Sequence, residues 1–288
     1  MLGMHLVEID IVRVLRLFTQ RDRPLQMRVT WIVAGSLCGA AAGCSQTATM
    51  GEPLTPQAAD AADDMALAFD GEKSYASTGT AAFPFAGAPQ TLSCWLAYDG
   101  GGGSQSVLAL HRDFDSGVQL GVRDGQLAVW RSDTAESLLA AEEPLAIADW
   151  HHAAYVYEGE PSRIGRLYID GDEVAQAPVE MTERTPSSGW LGTVDGTREL
   201  FRGRLDEVRV WTAARTPSEV VEDMTRIAPA RDRALVAYFT FDEAGGPWAL
   251  DRSGRGNHAV LGDGVADYMP RRVASALGGS RRAADQDP

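Results

Sequence analysis

Positive charge is scarce in this sequence. Its 288 residues include 26 lysine and arginine residues against 40 aspartate and glutamate residues, which gives a formal net charge of −14. An acidic surface has little with which to displace counterions from the phosphates of a duplex, so the composition argues against nucleic acid as a partner. With 44% hydrophobic and 23% charged residues, the chain is typical of globular proteins that bury a large core.

Cysteine is also rare, since only Cys38, Cys44 and Cys94 occur. The first two fall within or at the end of an N-terminal apolar run, which leaves Cys94 alone in the body of the chain. A single cysteine cannot form an intramolecular disulfide. Because Cys94 lies within the apolar residues 91–96, we expect a small buried core residue and not a nucleophile.

Two catalytic motifs are absent. The Glu-x-Asp-x-x-Glu carboxylates of a laminarinase-type glycosidase do not occur, and neither does the Gly-x-Ser-x-Gly elbow of a serine hydrolase. The sequence therefore predicts a protein without enzymatic activity.

The apolar, small-residue run 29–43 follows Met27 and Arg28 and ends at Cys44. It is too short to span a bilayer as a helix, whereas a basic start, a short apolar middle and a small-residue end are typical of a secretory signal. Its last residues and Cys44 resemble the bacterial lipobox. The resemblance implies lipidation of Cys44 and anchoring of the exported protein to the cell envelope, at the outer membrane or facing the periplasm. An ordinary signal peptide or a buried apolar helix are the alternatives.

Composition divides the chain into five parts. We interpret residues 1–26 as an untranslated or unstructured leader and residues 27–43 as the signal peptide. Residues 44–62 are rich in Ala, Thr, Pro and Gln without apolar periodicity, as in a tether. Residues 63–265 are predicted to form the folded domain and residues 266–288 a disordered tail.

Short alternating segments in the folded domain predict β-structure. Apolar residues alternate on both sides of Asp124-Gly125, which indicates a hairpin with a type I′ turn, and a second turn is predicted at Asp170-Gly171. Thr216, Pro217 and Glu219 have the spacing of a capped helix start. The predicted apolar face of that helix consists of Val220, Val221, Met224 and Ile227.

Four segments in order resemble the strands of the laminin-G-like, concanavalin A-type jelly roll. They are residues 67–71 with Tyr75, residues 91–95, residues 149–154 with 167–171, and residues 201–211. The resemblance implies an all-β fold, an antiparallel two-sheet jelly-roll sandwich with one short C-terminal helix. Residues 235–262 resemble the opening of such a domain. We expect them to add a strand to the same sandwich, with the start of a second repeat as the alternative.

Aromatic rings near turns are the candidates for ligand binding. A sugar can stack on an exposed ring beside amides and carboxylates, and Tyr98, Trp130 and Trp190 lie near turns where exposure is feasible. Burial in the core is the alternative for each.

Calcium is the one cofactor that the resemblance suggests, since this fold often holds a structural ion at strand ends. Asp206 is in phase with Val208 and Val210, so a carboxylate facing the core there needs a cation, an arginine or hydrogen bonds. Asp70, at the end of the first strand, is its predicted companion in a calcium site.

These observations predict an envelope-anchored, lectin-like binding domain for carbohydrate or other surface ligands. A protein–protein adhesion module without a sugar site is the main alternative. A divergent glycoside hydrolase is the third.

Overall fold

The structure is a computed structural model and describes residues 64–79, 83, 87–112, 116–132, 134–181, 187–225 and 232–277. Cys44, the predicted signal peptide and the predicted tether lie outside these residues. None of the helices within them is long and apolar enough to cross a membrane.

Two short 3₁₀ helices, Gly262–Gly264 and Ala266–Tyr268, occur in the described residues beside sixteen strands and one α-helix. In chain order the strands and the α-helix are β1 (Met65–Asp70), β2 (Ala76–Ser77), β3 (Gln90–Tyr98), β4 (Ser104–Arg112), β5 (Ser116–Arg123), β6 (Gln126–Arg131), β7 (Ser137–Pro144), β8 (Trp150–Tyr157), β9 (Ile164–Ile169), β10 (Asp172–Pro178), β11 (Ser188–Leu191), β12 (Arg202–Trp211), α1 (Pro217–Thr225), β13 (Leu235–Phe239), β14 (Trp248–Ala249), β15 (Ala259–Leu261) and β16 (Arg271–Ala274).

The strands form two antiparallel eight-stranded sheets. The first sheet has the order β10-β9-β8-β3-β12-β1-β16, and the second has the order β14-β15-β2-β11-β4-β5-β6-β7. A bulge in β12 places Glu207 in the left-handed region at φ +52°. Before this bulge β12 pairs with β1, and after the bulge it pairs with β13. Strand β13, the eighth strand of the first sheet, therefore lies on the same side of β12 as β1 does. The all-β, two-sheet architecture predicted from the sequence is confirmed.

Alternate residues of both sheets meet in one hydrophobic core. Cys94 is completely buried there, as predicted, and burial raises the pKa of its thiol to about 12. The predicted turns also form, because Asp124 and Asp170 both adopt the positive φ that a type I′ turn requires and each is followed by glycine at φ near +90°.

The segment after α1 joins the same sandwich. Strand β13 extends the first sheet, while β14 and β15 extend the second sheet beside β2. The prediction of a disordered tail from residue 266 is wrong for residues 266–277, since β16 pairs with β1 along four residues. The sequence gives no strand signal for β16, because Arg271 and Arg272 are adjacent and interrupt any apolar alternation.

Helix α1 begins at the predicted cap. The backbone N–H of Thr216 donates to Glu219 at 2.8 Å, and the N–H of Glu219 donates back to the Thr216 hydroxyl at 3.3 Å, which completes a capping box. Val220 packs on the outer face of the first sheet. The predicted role of Val221 is wrong, since this side chain is 51% exposed, and Ile227 lies outside the described residues.

Candidate functional site

A row of side chains crosses the outer face of the second sheet. Cross-strand partners point to the same face of a sheet, and the inward partners of this sheet fill the core. The outward row consists of Trp248, Val260, Ser77, Trp190, Ala109, Gln119, Trp130 and Ser137. Two of the predicted ligand-binding residues, Trp190 and Trp130, therefore share this face, three strand spacings or about 14 Å apart.

Trp190 is half-buried at the centre of an aromatic cluster. Its ring centroid lies 5.7 Å from that of Tyr75 and 6.2 Å from that of His111, to which it is nearly parallel. Tyr75 in turn stacks on Tyr268 at 6.2 Å. Ring spacings of this size stabilise aromatic pairs, so neighbouring side chains hold the Trp190 indole in place.

Asp263 provides a carboxylate next to these rings. It accepts a hydrogen bond from the Tyr75 hydroxyl at 3.0 Å and one from the Ser77 hydroxyl at 2.8 Å. Burial and the neighbouring Asp263 raise the pKa of Tyr75 to about 12, so this phenol stays protonated and keeps its role as donor. Tyr268, at the outer side of the cluster, is 42% exposed. We refer to Trp190, Tyr75, Tyr268, Asp263 and Ser77 as the Trp190 face.

Trp130 has a different environment. Its indole is fully buried and extends over Gly121, where an added Cβ would lie 2.7 Å from Cη2 of the ring. The Arg123 guanidinium covers the ring at 4.5 Å from its centroid and donates to the Ser104 hydroxyl at 2.9 Å. A ring enclosed between glycine and arginine has no surface left for stacking a sugar, so Trp130 contributes to packing.

The loop of residues 192–201 lies between these two rings. Its Glu199 is half-buried, and burial raises the pKa of that carboxyl although Trp130 and Arg123 act in the opposite direction. With the Gln119 amide oriented to satisfy its neighbours, its nitrogen donates to Glu199 Oε2 at 2.7 Å and its oxygen accepts from Trp130 Nε1 at 3.0 Å. Glu199 thus fixes the loop to the sheet.

Tyr98, the third predicted ligand-binding residue, lies elsewhere. It belongs to β3 of the first sheet, its ring is part of the core, and its hydroxyl donates to the carbonyl of Gly101 in the loop between β3 and β4. The structure does not bring Tyr98 together with Trp130 and Trp190.

The two carboxylates predicted to bind calcium also lie apart. Asp70 is opposite Arg202, four residues before Asp206 on β12, which corresponds to roughly 13 Å. Asp206 is fully buried and accepts hydrogen bonds from the Glu207 N–H at 2.7 Å and the Ser275 hydroxyl at 2.6 Å. Among the described residues, no group of three or more His, Cys, Asp or Glu side chains could hold a metal ion.

Several residues of the Trp190 face were not predicted from the sequence. Tyr75 belongs to a predicted strand motif, and Asp263 and Tyr268 come from a part of the chain without apolar periodicity. Their proximity depends on the pairing of β15 with β2, which connects residues more than 180 positions apart. Trp190, an aromatic residue near a turn, is the residue of this face that the sequence does indicate.

Comparison with known proteins agrees with this architecture. A laminin G family model, described as the concanavalin A-like lectin/glucanases superfamily, matches residues 70–221, which is a little over half of the chain. No protein of curated function matches the sequence.

Solved structures with similar folds include a Bacteroides ovatus protein proposed to bind carbohydrate. It superposes with a TM-score of 0.57 at 18% identity. The match covers 75% of this chain and 61% of the Bacteroides ovatus protein. A heptameric SAP-like pentraxin from Limulus polyphemus gives a TM-score of 0.49 at 11% identity, covering 72% of this chain and 97% of the pentraxin. Domain 4 of the extracellular arabinanase AbnA from Geobacillus stearothermophilus, solved with arabinotriose, gives 0.44 at 18% identity, covering 55% and 75%. At these identities the likeness concerns the fold.

Proposed function

Since the chain belongs to the concanavalin A-like lectin/glucanases superfamily, we propose that it is a non-catalytic, envelope-anchored protein that binds carbohydrate on the Trp190 face. The observation that carries the proposal is the aromatic cluster around Trp190 with the Asp263 carboxylate beside it.

The Trp190 face has the two kinds of group that sugar recognition needs. Aromatic rings offer an apolar surface to the C–H face of a pyranose, and fixed polar groups bind its hydroxyls. Because Tyr75 lies between Trp190 and Tyr268 and its hydroxyl donates to Asp263, little of its side-chain entropy remains to be lost on binding. The Bacteroides ovatus protein of similar fold, itself proposed to bind carbohydrate, supports the same ligand class.

The contacts of the Glu199 carboxylate argue against a role in catalysis. Glycoside hydrolysis requires two carboxylates that flank the scissile bond, one of them a proton donor. Glu199 has the raised pKa of such a donor, but its carboxylate already accepts from Gln119 beneath the loop of residues 192–201. A carboxylate bonded in this way stabilises the loop.

A glycan array with the full chain tests the proposal. We expect retention of a neutral oligosaccharide, weakened about tenfold by Tyr268→Ala, because loss of one stacking ring removes about 1 kcal/mol or more of binding energy. The matched control is Val221→Ala on α1, which removes another exposed apolar side chain and should leave binding unchanged.

Other results would identify the alternatives. A blank array together with a stoichiometric protein partner from an envelope extract would establish the adhesion module and contradict sugar binding. Turnover of a polysaccharide that is abolished by Glu199→Gln would establish a hydrolase.

Envelope anchoring through Cys44 is the second part of the proposal. It rests on the apolar run that ends at this cysteine in a lipobox-like sequence. In bacterial cells that lipidate exported proteins, labelled palmitate should enter the full chain but not the Cys44→Ala variant. Equal labelling of both, or of neither, would contradict lipidation at Cys44.

A further inference from the structure

A cleft of about 330 Å³ opens on the outer face of the first sheet, on the opposite side of the sandwich from the Trp190 face. Its volume lies at the lower end of the range for small-molecule pockets. Ala68 on β1 forms its floor, because the cross-strand neighbours of Ala68 are Arg204 on β12 and Arg271 on β16. One methyl group between two long arginine side chains leaves space that solvent can enter.

Arg204 is fixed in position at one wall of the cleft. Its guanidinium donates to the carbonyl of Ala148 at 3.0 Å, lies 3.8 Å from the Asp99 carboxylate and stands over the Trp150 ring at 5.4 Å from its centroid. These contacts leave other N–H groups of the five-donor guanidinium for a ligand. A donor held in place before binding loses little entropy when the ligand arrives.

Arg271 forms the opposite wall and is exposed. Within the described part of the chain its guanidinium has no hydrogen-bond or ion-pair partner. Arg204 and Arg271 are two strand spacings apart, about 10 Å between backbones, so both guanidinium groups can reach one small molecule above Ala68.

Two carboxylates complete the cleft. Asp70 Oδ1 accepts hydrogen bonds from the backbone N–H groups of Glu72, Lys73 and Ser74 and from the Ser74 hydroxyl. Burial alone would raise the pKa of Asp70, but these donors together lower it to about 2, so the group is ionised at neutral pH. Its second oxygen, Oδ2, takes no part in these bonds. Asp99 is the other carboxylate.

We propose that this cleft binds a carboxylate-bearing sugar of the uronic acid class. The ligand carboxylate pairs with Arg271 and Arg204, and its hydroxyls donate to Asp70 and Asp99. A simple anion would be repelled by Asp70 and Asp99 and would have no hydroxyl groups to donate to them. A neutral sugar would leave Arg271 without a charged partner. The site goes beyond the proposed function and is independent of it, since the Trp190 face lies on the other sheet.

The test is an NMR titration of the full chain, with alanine methyl groups labelled, against glucuronate, glucose and acetate. We expect saturable shifts of the Ala68 methyl signal with glucuronate, and about tenfold or more weaker binding of glucose and acetate, because each lacks one half of the complementary groups. Arg271→Gln, which keeps a polar side chain with hydrogen-bond donors but removes the charge and shortens the reach, should weaken glucuronate binding at least about fivefold. The control is Arg233→Gln, an exposed arginine outside the cleft.

Three outcomes would overturn the proposal. Acetate that binds as well as glucuronate would indicate attraction of any anion, and glucose that binds as well would remove the need for the arginines. Unchanged affinity in Arg271→Gln would exclude that residue from recognition. Tyr268→Ala separates the two sites, because it should leave glucuronate binding intact whether or not the Trp190 face binds neutral sugar.

Discussion

The two sheets differ in how their outer faces are covered. On the first sheet, α1 lies over the second half of β12 and closes a group of charged residues off from solvent. On the second sheet, the loop of residues 192–201 crosses the face and leaves the Trp190 cluster half-open at its side. Tryptophan, tyrosine, arginine and glutamate occur on both faces. Their degree of enclosure, and not their identity, separates packing residues from candidate binding residues.

The enclosed group under α1 is centred on Arg209, which is 1% exposed. Its guanidinium pairs with Glu207 and donates to the carbonyl of Asp223 on α1. The Tyr238 hydroxyl donates to the same Glu207 carboxylate at 2.7 Å, and the ring lies 4.7 Å below the Arg209 guanidinium. Arg215 pairs with the Asp223 side chain at 2.8 Å, so the helix is attached at two points.

Removing one charge from this group should have the largest effect on stability. Arg209→Met leaves the Glu207 carboxylate buried without its cation, and breaking a buried pair in this way costs about 3–5 kcal/mol. Urea unfolding of the variant should show that loss. The double variant Arg209→Met, Glu207→Gln should recover most of it, because no uncompensated charge remains. A loss of stability below about 1 kcal/mol in the single variant would contradict the conclusion that α1 encloses the Arg209 group and excludes solvent from it.

The two tryptophans of the second sheet provide the next test. Trp130 is fully buried over Gly121, so Trp130→Ala should destabilise the protein by about 3 kcal/mol or more through lost contacts and a cavity. Trp190 is half-buried, so Trp190→Ala should cost clearly less stability while it removes binding at the Trp190 face. Thermal unfolding measured beside ligand binding separates the two effects. Equal destabilisation would show that Trp190 serves packing as Trp130 does.

Local patterns explain why much of the fold could be predicted from the sequence. Asp124-Gly125 and Asp170-Gly171 specify their turns within two residues, and Thr216 with Glu219 specifies the start of α1 within four. Each of these signals depends on backbone geometry that adjacent residues control. The strand expected within residues 235–262 is confirmed as β13, whose sequence LVAYF has apolar residues on both faces.

The candidate sites depend on contacts between distant parts of the chain. Whether Trp130 is buried is decided by Gly121 on the neighbouring strand and by Arg123 above it, and no alternation within β6 reveals either contact. The cleft exists because β16 places Arg271 opposite Ala68, a pairing across about 200 residues. Periodicity predicts which face a residue occupies, but it does not predict what covers that face.

Loss of the Thr216 cap should destabilise α1, the helix that covers the Arg209 group, by less than the loss of Arg209 itself. Thr216→Ala removes the side chain that accepts from Glu219, which typically costs about 1 kcal/mol. Because α1 covers the Arg209 group, we also expect faster hydrogen exchange at the Trp95 indole, whose Nε1 donates to Met224 on this helix at 3.3 Å. Thr216→Ser should restore both values. Unchanged exchange would mean that the first turn of α1 does not control this cover.

The smallest expected effect comes from the exposed carboxylate of the first sheet. The pKa of Asp70 falls from 3.8 to about 2 in the folded protein, because the backbone N–H groups of residues 72–74 outweigh the effect of burial. A lowered folded-state pKa contributes stability that is fully present above pH 4 and is lost as the pH falls towards 2. Asp70→Asn should therefore be less stable than the natural protein at pH 7, by about half a kcal/mol after solvent screening, and the difference should shrink to a small fraction of that value at pH 2. Melting curves at pH 7, 4 and 2 measure it. A difference that persists unchanged at pH 2 would mean that the carboxylate charge is not its source, and that only the shape of the Asp70 turn matters at this end of the cleft.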